Sequence, residues 1–303
     1  MTLSVLIADP IDKEAQRMLE AAGFEVSAPG EPTPEEIMKI IPDCEVLVVR
    51  SRTKVTKEMI DAGKKLKVIA RAGVGVDTID TAAAEQRGIE VINAPGSNSR
   101  SVAEHAVGLM FAVARMIPQA DSSMKAGKWE KKLFKGSELE GKTLGVLGYG
   151  HVGESVAHIA HALGMEVLVW TRTPRTDPPF QFVAALEEVL RRADIITIHL
   201  SKSAETARLI ADSEFGKMKQ GVLLVNTARG GIVEEEALLR ALQSGKVGGA
   251  GLDVFGNEPT PNRVLITHPR VVATPHIAAL TREAQQRAGL QIVEQLIDWV
   301  RGQ

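Results

Sequence analysis

The sequence predicts an α/β fold in which two arrays of parallel strands alternate with helices, and three observations carry that reading. Short β-rich apolar runs recur along the chain, helical stretches separate them, and the rhythm begins twice, near residues 4 and 143. The first array holds SVLIA at 4–8, EVLVV at 45–49, KVIA at 67–70 and EVIN at 90–93. The second holds TLGVLG at 143–148, EVLVW at 166–170, DIITIHL at 194–200, GVLLVN at 221–226, GGAGLDV at 248–254 and VVAT at 271–274. At 303 residues the chain also fits two domains better than one, since domains run to roughly 50–250 residues.

Between the arrays, Ser101-Val-Ala-Glu104 has the pattern of a capping box, and Val102, Ala106, Leu109, Met110, Val113 and Met116 follow at helical spacing. A long linking helix is expected there, followed from Pro118 to Gly141 by a polar surface connection. From Arg282 to Val300 the helical period returns, with Ala284, Ala288, Ile292, Val293, Leu296 and Ile297 on one side. This segment is expected to return to the first domain. The expected division is therefore residues 1–97 plus 284–303 as one, discontinuous domain and 98–283 as the other.

The composition, 44% hydrophobic and 24% charged, is that of a globular protein. Thirty-six Lys and Arg against 38 Asp and Glu leave a formal charge of -2, so no nucleic-acid or membrane surface is expected and any anion must be held by a local cluster. The single cysteine, Cys44, forbids an intramolecular disulfide and reads as a buried thiol at a strand edge. No apolar run reaches the roughly 18–20 residues of a membrane span, and MTLSVLIADP lacks a secretory leader, so a cytoplasmic location is expected.

Strand TLGVLG runs into Gly148-Tyr-Gly150-His151-Val152-Gly153 and then into a helical stretch. In that order the glycines serve a tight turn, close approach to a pyrophosphate and helix–strand packing, while the helix N-terminus offers unpaired N–H groups to the phosphates. Residues 98–283 thus read as a Rossmann-type dinucleotide domain. An NAD site normally places Asp or Glu about 20 residues beyond the glycines. Here Thr171 stands there, followed by Arg172, Thr173 and Arg175, and NADP(H) is favoured over NAD(H). His151, His158 and His161 are read as structural or surface residues, because the pattern supplies no further metal ligands.

Three segments fall at predicted strand ends, where α/β sheets bind ligands: Asn226-Thr227-Ala228-Arg229-Gly-Gly231, Asp253-Val-Phe-Gly-Asn-Glu258-Pro259 and Thr274-Pro-His276-Ile-Ala278. Oxidation of an alcohol beside a carboxylate needs a base, a cation and a hydride acceptor, roles open to His276, Arg229 and a nicotinamide. With the glycine loop, these motifs resemble the D-isomer-specific 2-hydroxyacid dehydrogenases over nearly the whole chain. The resemblance implies a flavodoxin-like substrate domain, His276 as general acid/base, Glu258 as its partner, and Arg229 as the group that binds the substrate carboxylate and polarises its carbonyl. It also places Asn226, Thr227, Ala228 and Asp253 on the nicotinamide side.

In the first domain, Val49-Arg50-Ser-Arg52, Ala70-Arg71-Ala-Gly73-Val74-Gly75 and Asn93-Ala-Pro-Gly-Ser-Asn98 look most like the D-3-phosphoglycerate dehydrogenase branch. That likeness implies a substrate carboxylate on the N–H groups around Gly73 and Val74, and a phosphate met by Arg50 and Arg71. Glyoxylate and hydroxypyruvate reductases share the scaffold and are the alternative reading. Dinucleotide-sensing co-repressors share it too, but the intact Arg229, Glu258 and His276 argue for an enzyme. The resemblance further implies a homodimer and, because the chain stops soon after the helix of Arg287, no serine-sensing C-terminal domain. It departs from the family at His199-Leu-Ser201, where His-x-Pro is usual, and at Thr78, where Asn is usual.

Overall fold

A computed structural model describes residues 3–173 and 175–302. The chain up to Asn98 together with the segment from Leu280 onward forms one compact unit, and Ser99–Ala279 forms a second.

The first unit is built on a five-stranded parallel sheet. Its strands are β1 (Ser4–Ile7), β2 (Glu25–Ser27), β3 (Val46–Val49), β4 (Val68–Arg71) and β5 (Glu90–Asn93), in the order β2-β1-β3-β4-β5. All four strand pairs are parallel. This is the flavodoxin-like order, and the chain reverses its direction of travel between β1 and β3, which opens a crevice at their carboxyl ends. β3 is buried along its whole length, as a strand covered on both faces must be.

Helix Arg282–Arg301 belongs to this unit. Thr281 caps it by accepting from the Ala284 N–H, and Ala288, Ile292, Val293 and Leu296 enter one of the unit's cores with Val5, Leu19 and Val46. Gly289 permits a close approach to the helix Lys13–Ala21, because a Cβ there would lie 2.9 Å from that of Ala15.

The second unit carries seven parallel strands: β6 (Thr143–Leu147), β7 (Glu166–Trp170), β8 (Gln181–Val183), β9 (Ile195–Ile198), β10 (Val222–Asn226), β11 (Val247–Leu252) and β12 (Val271–Ala273). Their order is β12-β11-β10-β9-β6-β7-β8. The reversal lies between β6 and β9, so the ligand crevice of this sheet is at their carboxyl ends. Core side chains cover both faces, among them Leu147, Ile196 and Leu224 in one layer and Val146, Val156 and Val225 in the other.

Several local expectations need correction. β2 and β8 are three-residue edge strands, Glu-Val-Ser and Gln-Phe-Val, too short and too polar to register as apolar runs. The linking helix starts at Ser99, so Ser101 lies inside it, buried, and cannot be an N-cap; Glu104 pairs with Arg100 instead of closing a capping box. Within the expected polar connection the chain forms the helix Ile117–Lys125 and a short 3-10 turn, Lys131–Leu133. No helix among the described residues is long and apolar enough to cross a membrane. Cys44 is buried, its thiol bonded to the Ile40 carbonyl, and burial raises its pKa, so it behaves as a small core side chain.

Candidate active site

The glycine loop shows in its sterics why it is made of glycine. Gly148 turns with φ 96°, and a Cβ on it would sit 2.5 Å from the His199 carbonyl oxygen, while one on Gly153 would sit 2.0 Å from the Gly148 oxygen. Gly150 instead faces open space. His151 and Val152 begin the helix His151–Ala162, whose N-terminus has no side-chain cap. Its first N–H groups are thus open to an anion, and the loop fits a dinucleotide pyrophosphate.

After β7, Thr171 is half-buried, and Arg172 and Thr173 are exposed. The one carboxylate of residues 171–180, Asp177, accepts from the Tyr149 hydroxyl at 2.6 Å; burial and this bond push the Tyr149 pKa upward and keep the phenol neutral. Asp177 therefore braces its loop against the glycine loop, a contact that no sequence signal announces. Glu154, His158 and Asp177 bring ligand-type atoms within 4.8 Å of one another, although the histidine pattern alone supplied no such partners. His199, at the end of β9, is held by Thr197 through Nε2 (2.9 Å); burial lowers its pKa to about 3, so it stays neutral at working pH.

β10 ends at Asn226, whose buried amide folds the loop that follows. Its Oδ1 accepts from Ala228 N (3.1 Å) and its Nδ2 donates to Arg229 O (3.1 Å). Asn226 thus shapes the base of Arg229, a more definite task than a place on the nicotinamide side. The Arg229 guanidinium is half-buried and donates to Ala228 O at 2.8 Å. Gly230 brings this loop against the loop after β11, because a Cβ there would lie 1.7 Å from the Phe255 oxygen. Thr227 is buried, and its hydroxyl has no partner among the described residues, as suits a group that meets a cofactor. Ala228, also buried, offers no polar side-chain atom of its own.

Glu258 is fixed at both carboxylate oxygens: Oε1 accepts from Phe255 N (2.9 Å), and Oε2 meets His276 Nδ1 at 2.6 Å. The ring's Nε2 is left for a ligand, and the His276 side chain is 47% exposed. His276 is one of three non-glycine residues with positive φ among the described residues, at 53°. Such a conformation costs energy and persists only where the surroundings impose it. Asp253 imposes it. Its carboxylate, 0% exposed, accepts from Thr274 Oγ1 (2.6 Å), Ile277 N (2.9 Å) and Ala278 N (2.8 Å), and its carbonyl accepts from His276 N (2.9 Å). Asp253, expected on the nicotinamide side, is thus committed to the turn that carries His276.

In the first unit, Arg71 ends β4 in register with Val49, and Arg50 directly follows Val49, so both arginines stand at the carboxyl ends of β3 and β4. Asp9, buried after β1, accepts from Arg50 N (2.6 Å) and from Thr53, and pairs with Arg52 Nε at 3.0 Å. Arg52 is therefore structural, while the Arg50 guanidinium makes one longer bond, to Pro10 O at 3.3 Å. Arg71 lies over Gly73, where a Cβ would be 2.6 Å from its Nη1. Asn93 steadies the loop by donating to Val74 O (2.6 Å). The Gly73 N–H already closes a tight turn onto Arg71 O (2.7 Å). Of the two amides expected to meet a carboxylate, that of Gly73 is thus engaged within its own loop.

A strand–glycine–helix crevice beside a Glu–His pair and an arginine loop defines a dinucleotide-dependent oxidoreductase in outline, and comparison with known proteins supplies the family. Residues 107–278 match the model of the D-isomer specific 2-hydroxyacid dehydrogenase NAD binding domain, and the chain belongs to that family. It is 49% identical over 99% of its length to a D-3-phosphoglycerate dehydrogenase of Archaeoglobus fulgidus, of which it spans 58%. To a hydroxypyruvate reductase of Thermotoga maritima it is 48% identical, over 96% of each chain. Among solved structures it resembles an NAD+-bound 3-phosphoglycerate dehydrogenase of Entamoeba histolytica, with a TM-score of 0.84, 32% identity, and coverage of 100% of this chain and 97% of the other.

Proposed function

We propose that the protein interconverts a D-2-hydroxy acid and its 2-keto acid with a nicotinamide cofactor, the preferred pair being 3-phosphoglycerate and 3-phosphohydroxypyruvate. The observation that carries this reading is the 2.6 Å contact of Glu258 with His276 Nδ1, which leaves Nε2 outward on a turn imposed by Asp253. The nicotinamide, when bound, supplies or accepts the hydride. Gly148, Gly150, His151, Val152 and Gly153 would hold its pyrophosphate, with Thr227 and Ala228 nearer the nicotinamide.

In the reducing direction, Arg229 binds the substrate carboxylate through its planar fork and polarises the neighbouring carbonyl. His276 Nε2 then gives its proton to the carbonyl oxygen as that oxygen becomes the hydroxyl. Glu258 on Nδ1 fixes the orientation of the ring and leaves Nε2 for the transfer. In the oxidising direction the same Nε2 takes the hydroxyl proton.

Arg50 and Arg71 together support a phosphorylated substrate, because a near-neutral protein must concentrate cations locally to hold a dianion. A second reading, an unphosphorylated hydroxypyruvate or glyoxylate reductase, is favoured by the near-complete mutual coverage with the Thermotoga relative. The two are separated by kcat/KM for 3-phosphohydroxypyruvate, hydroxypyruvate, glyoxylate and pyruvate: the first should be highest, and preference for glyoxylate or hydroxypyruvate assigns the chain to the reductases.

We also propose NADP(H) over NAD(H), supported by Thr171 and Arg172 where an NAD site carries a carboxylate. KM should be lower for NADPH, and Arg172→Ala should raise it about fivefold for NADPH alone, the worth of one exposed ion pair. Equal loss for both cofactors, or a native preference for NADH, overturns this. A cytoplasmic homodimer completes the reading, supported by exposed Ile117, Met124, Trp129 and Leu133 on neighbouring segments. Sedimentation of the native chain as a monomer contradicts the dimer.

A further inference from the structure

His105 lies in the helix Ser99–Arg115 and belongs to none of the roles assigned above. Its Nε2 is 3.0 Å from Thr274 Oγ1, and Thr274 Oγ1 is 2.6 Å from Asp253 Oδ1. A hydroxyl has one proton to give. Both Asp253 oxygens already accept amide N–H groups, Oδ1 from Ile277 and Oδ2 from Ala278, and Thr274 donates its proton to Oδ1, so the imidazole must donate to Thr274 through an Nε2–H. The three groups form a chain of bonds polarised in one direction, from the helix to the carboxylate.

That carboxylate shapes the His276 turn, and it is costly to keep. It is fully buried, and its direct donors, Thr274 Oγ1 and the Ile277 and Ala278 amides, are all uncharged. The one basic side chain within ion-pair reach among the described residues is His105, with Nε2 3.6 Å from Oδ1. The ring is 22% exposed, so one edge meets solvent while Nε2 faces inward. Neighbouring charges are otherwise engaged: Glu258 with His276, and Arg100 with Glu104 on the exposed side of the same helix.

We propose that His105, through Thr274, is a positioning residue for the proton transfer assigned to His276. It fixes the Thr274 hydroxyl that donates to the Asp253 carboxylate, and Asp253 in turn holds His276 at φ 53°. The inference rests on the acid/base reading of His276. A residue acting in this way should affect the chemical step more than binding, because what degrades is the aim of Nε2.

The test measures kcat and KM for keto acid and reduced cofactor in the full chain, with melting temperature recorded for each variant. His105→Ala should lower kcat about tenfold with KM changed less than about twofold, the signature of lost alignment. His105→Gln, whose amide N–H can still donate to Thr274, should recover most of that loss. A kcat unchanged in His105→Ala, a loss that falls on KM instead, or a Gln variant no better than Ala overturns the proposal in favour of simple packing. If His105→Ala does not fold, Thr274→Val and Thr274→Ser ask the same question: only Ser keeps the hydroxyl, so equal rates overturn it. His276→Ala is run in parallel. An active His276→Ala sinks the acid/base reading itself, whereas an inactive one beside a fully active His105→Ala sinks the positioning role alone.

Discussion

In the seven-stranded sheet, the side chains assigned to the chemistry stand on bases fixed by other groups. Asn226 folds the loop of Arg229, Phe255 N anchors Glu258, Glu258 holds His276, and Asp253 holds the turn beneath His276. In the five-stranded sheet the backbone at the strand ends is equally well pinned, by Asp9 and Asn93, but the Arg50 guanidinium has, among the described residues, a single carbonyl contact at 3.3 Å. Both sheets offer cations at their carboxyl ends, and the difference lies in how firmly the tips are held. Proton transfer tolerates little misplacement, whereas a phosphate can be met by a long side chain from several directions. A scaffold arranged in this way can keep one reaction while its substrate changes. That agrees with relatives of similar identity being named for a phosphorylated and an unphosphorylated substrate.

The contrast can be broken from either side. On the side of the fixed chemistry, Arg229→Ala removes charge stabilisation from the reacting carbonyl and should cost on the order of 10²–10³ in kcat. Arg229→Lys should restore little, since the ammonium lacks the fork; full recovery with Lys would mean that charge alone suffices and that the fixed loop is unimportant. A smaller and more selective effect is expected at Arg50. Arg50→Ala should lower kcat/KM for 3-phosphohydroxypyruvate about tenfold, the worth of one charge-assisted hydrogen bond, and leave glyoxylate nearly unchanged. Equal losses for both substrates would show that Arg50 serves the fold or the carboxylate, and the division between rigid chemistry and adjustable recognition would fail.

The α/β class was legible because parallel strands buried on both faces leave long apolar runs, as in Val46–Val49. Edge strands β2 and β8 were not, since three residues paired on one side need no such run. The glycine loop was readable because sterics that exclude a Cβ leave a mark in composition. Motifs at strand ends pointed to His276, Glu258 and Arg229 for the same reason: the chemistry restricts residue type. What escaped was tertiary. That Asp253 is spent on the His276 turn, that Gly73 has already used its N–H, and that Asp177 meets Tyr149 all depend on distances the chain creates only on folding. Ser101 misled because a capping pattern is local and the helix began two residues earlier.

On the proposed reading, His276, oriented by Glu258, moves the proton while the cofactor moves the hydride. The most direct test is single-turnover oxidation of enzyme-bound reduced cofactor by 3-phosphohydroxypyruvate at neutral pH, comparing the native chain with His276→Ala at equal cofactor occupancy. Loss of a general acid should slow that step by a factor of roughly 10²–10⁴ while the cofactor binds as before. A rate in His276→Ala within a few-fold of the native one would remove His276 from the proton transfer.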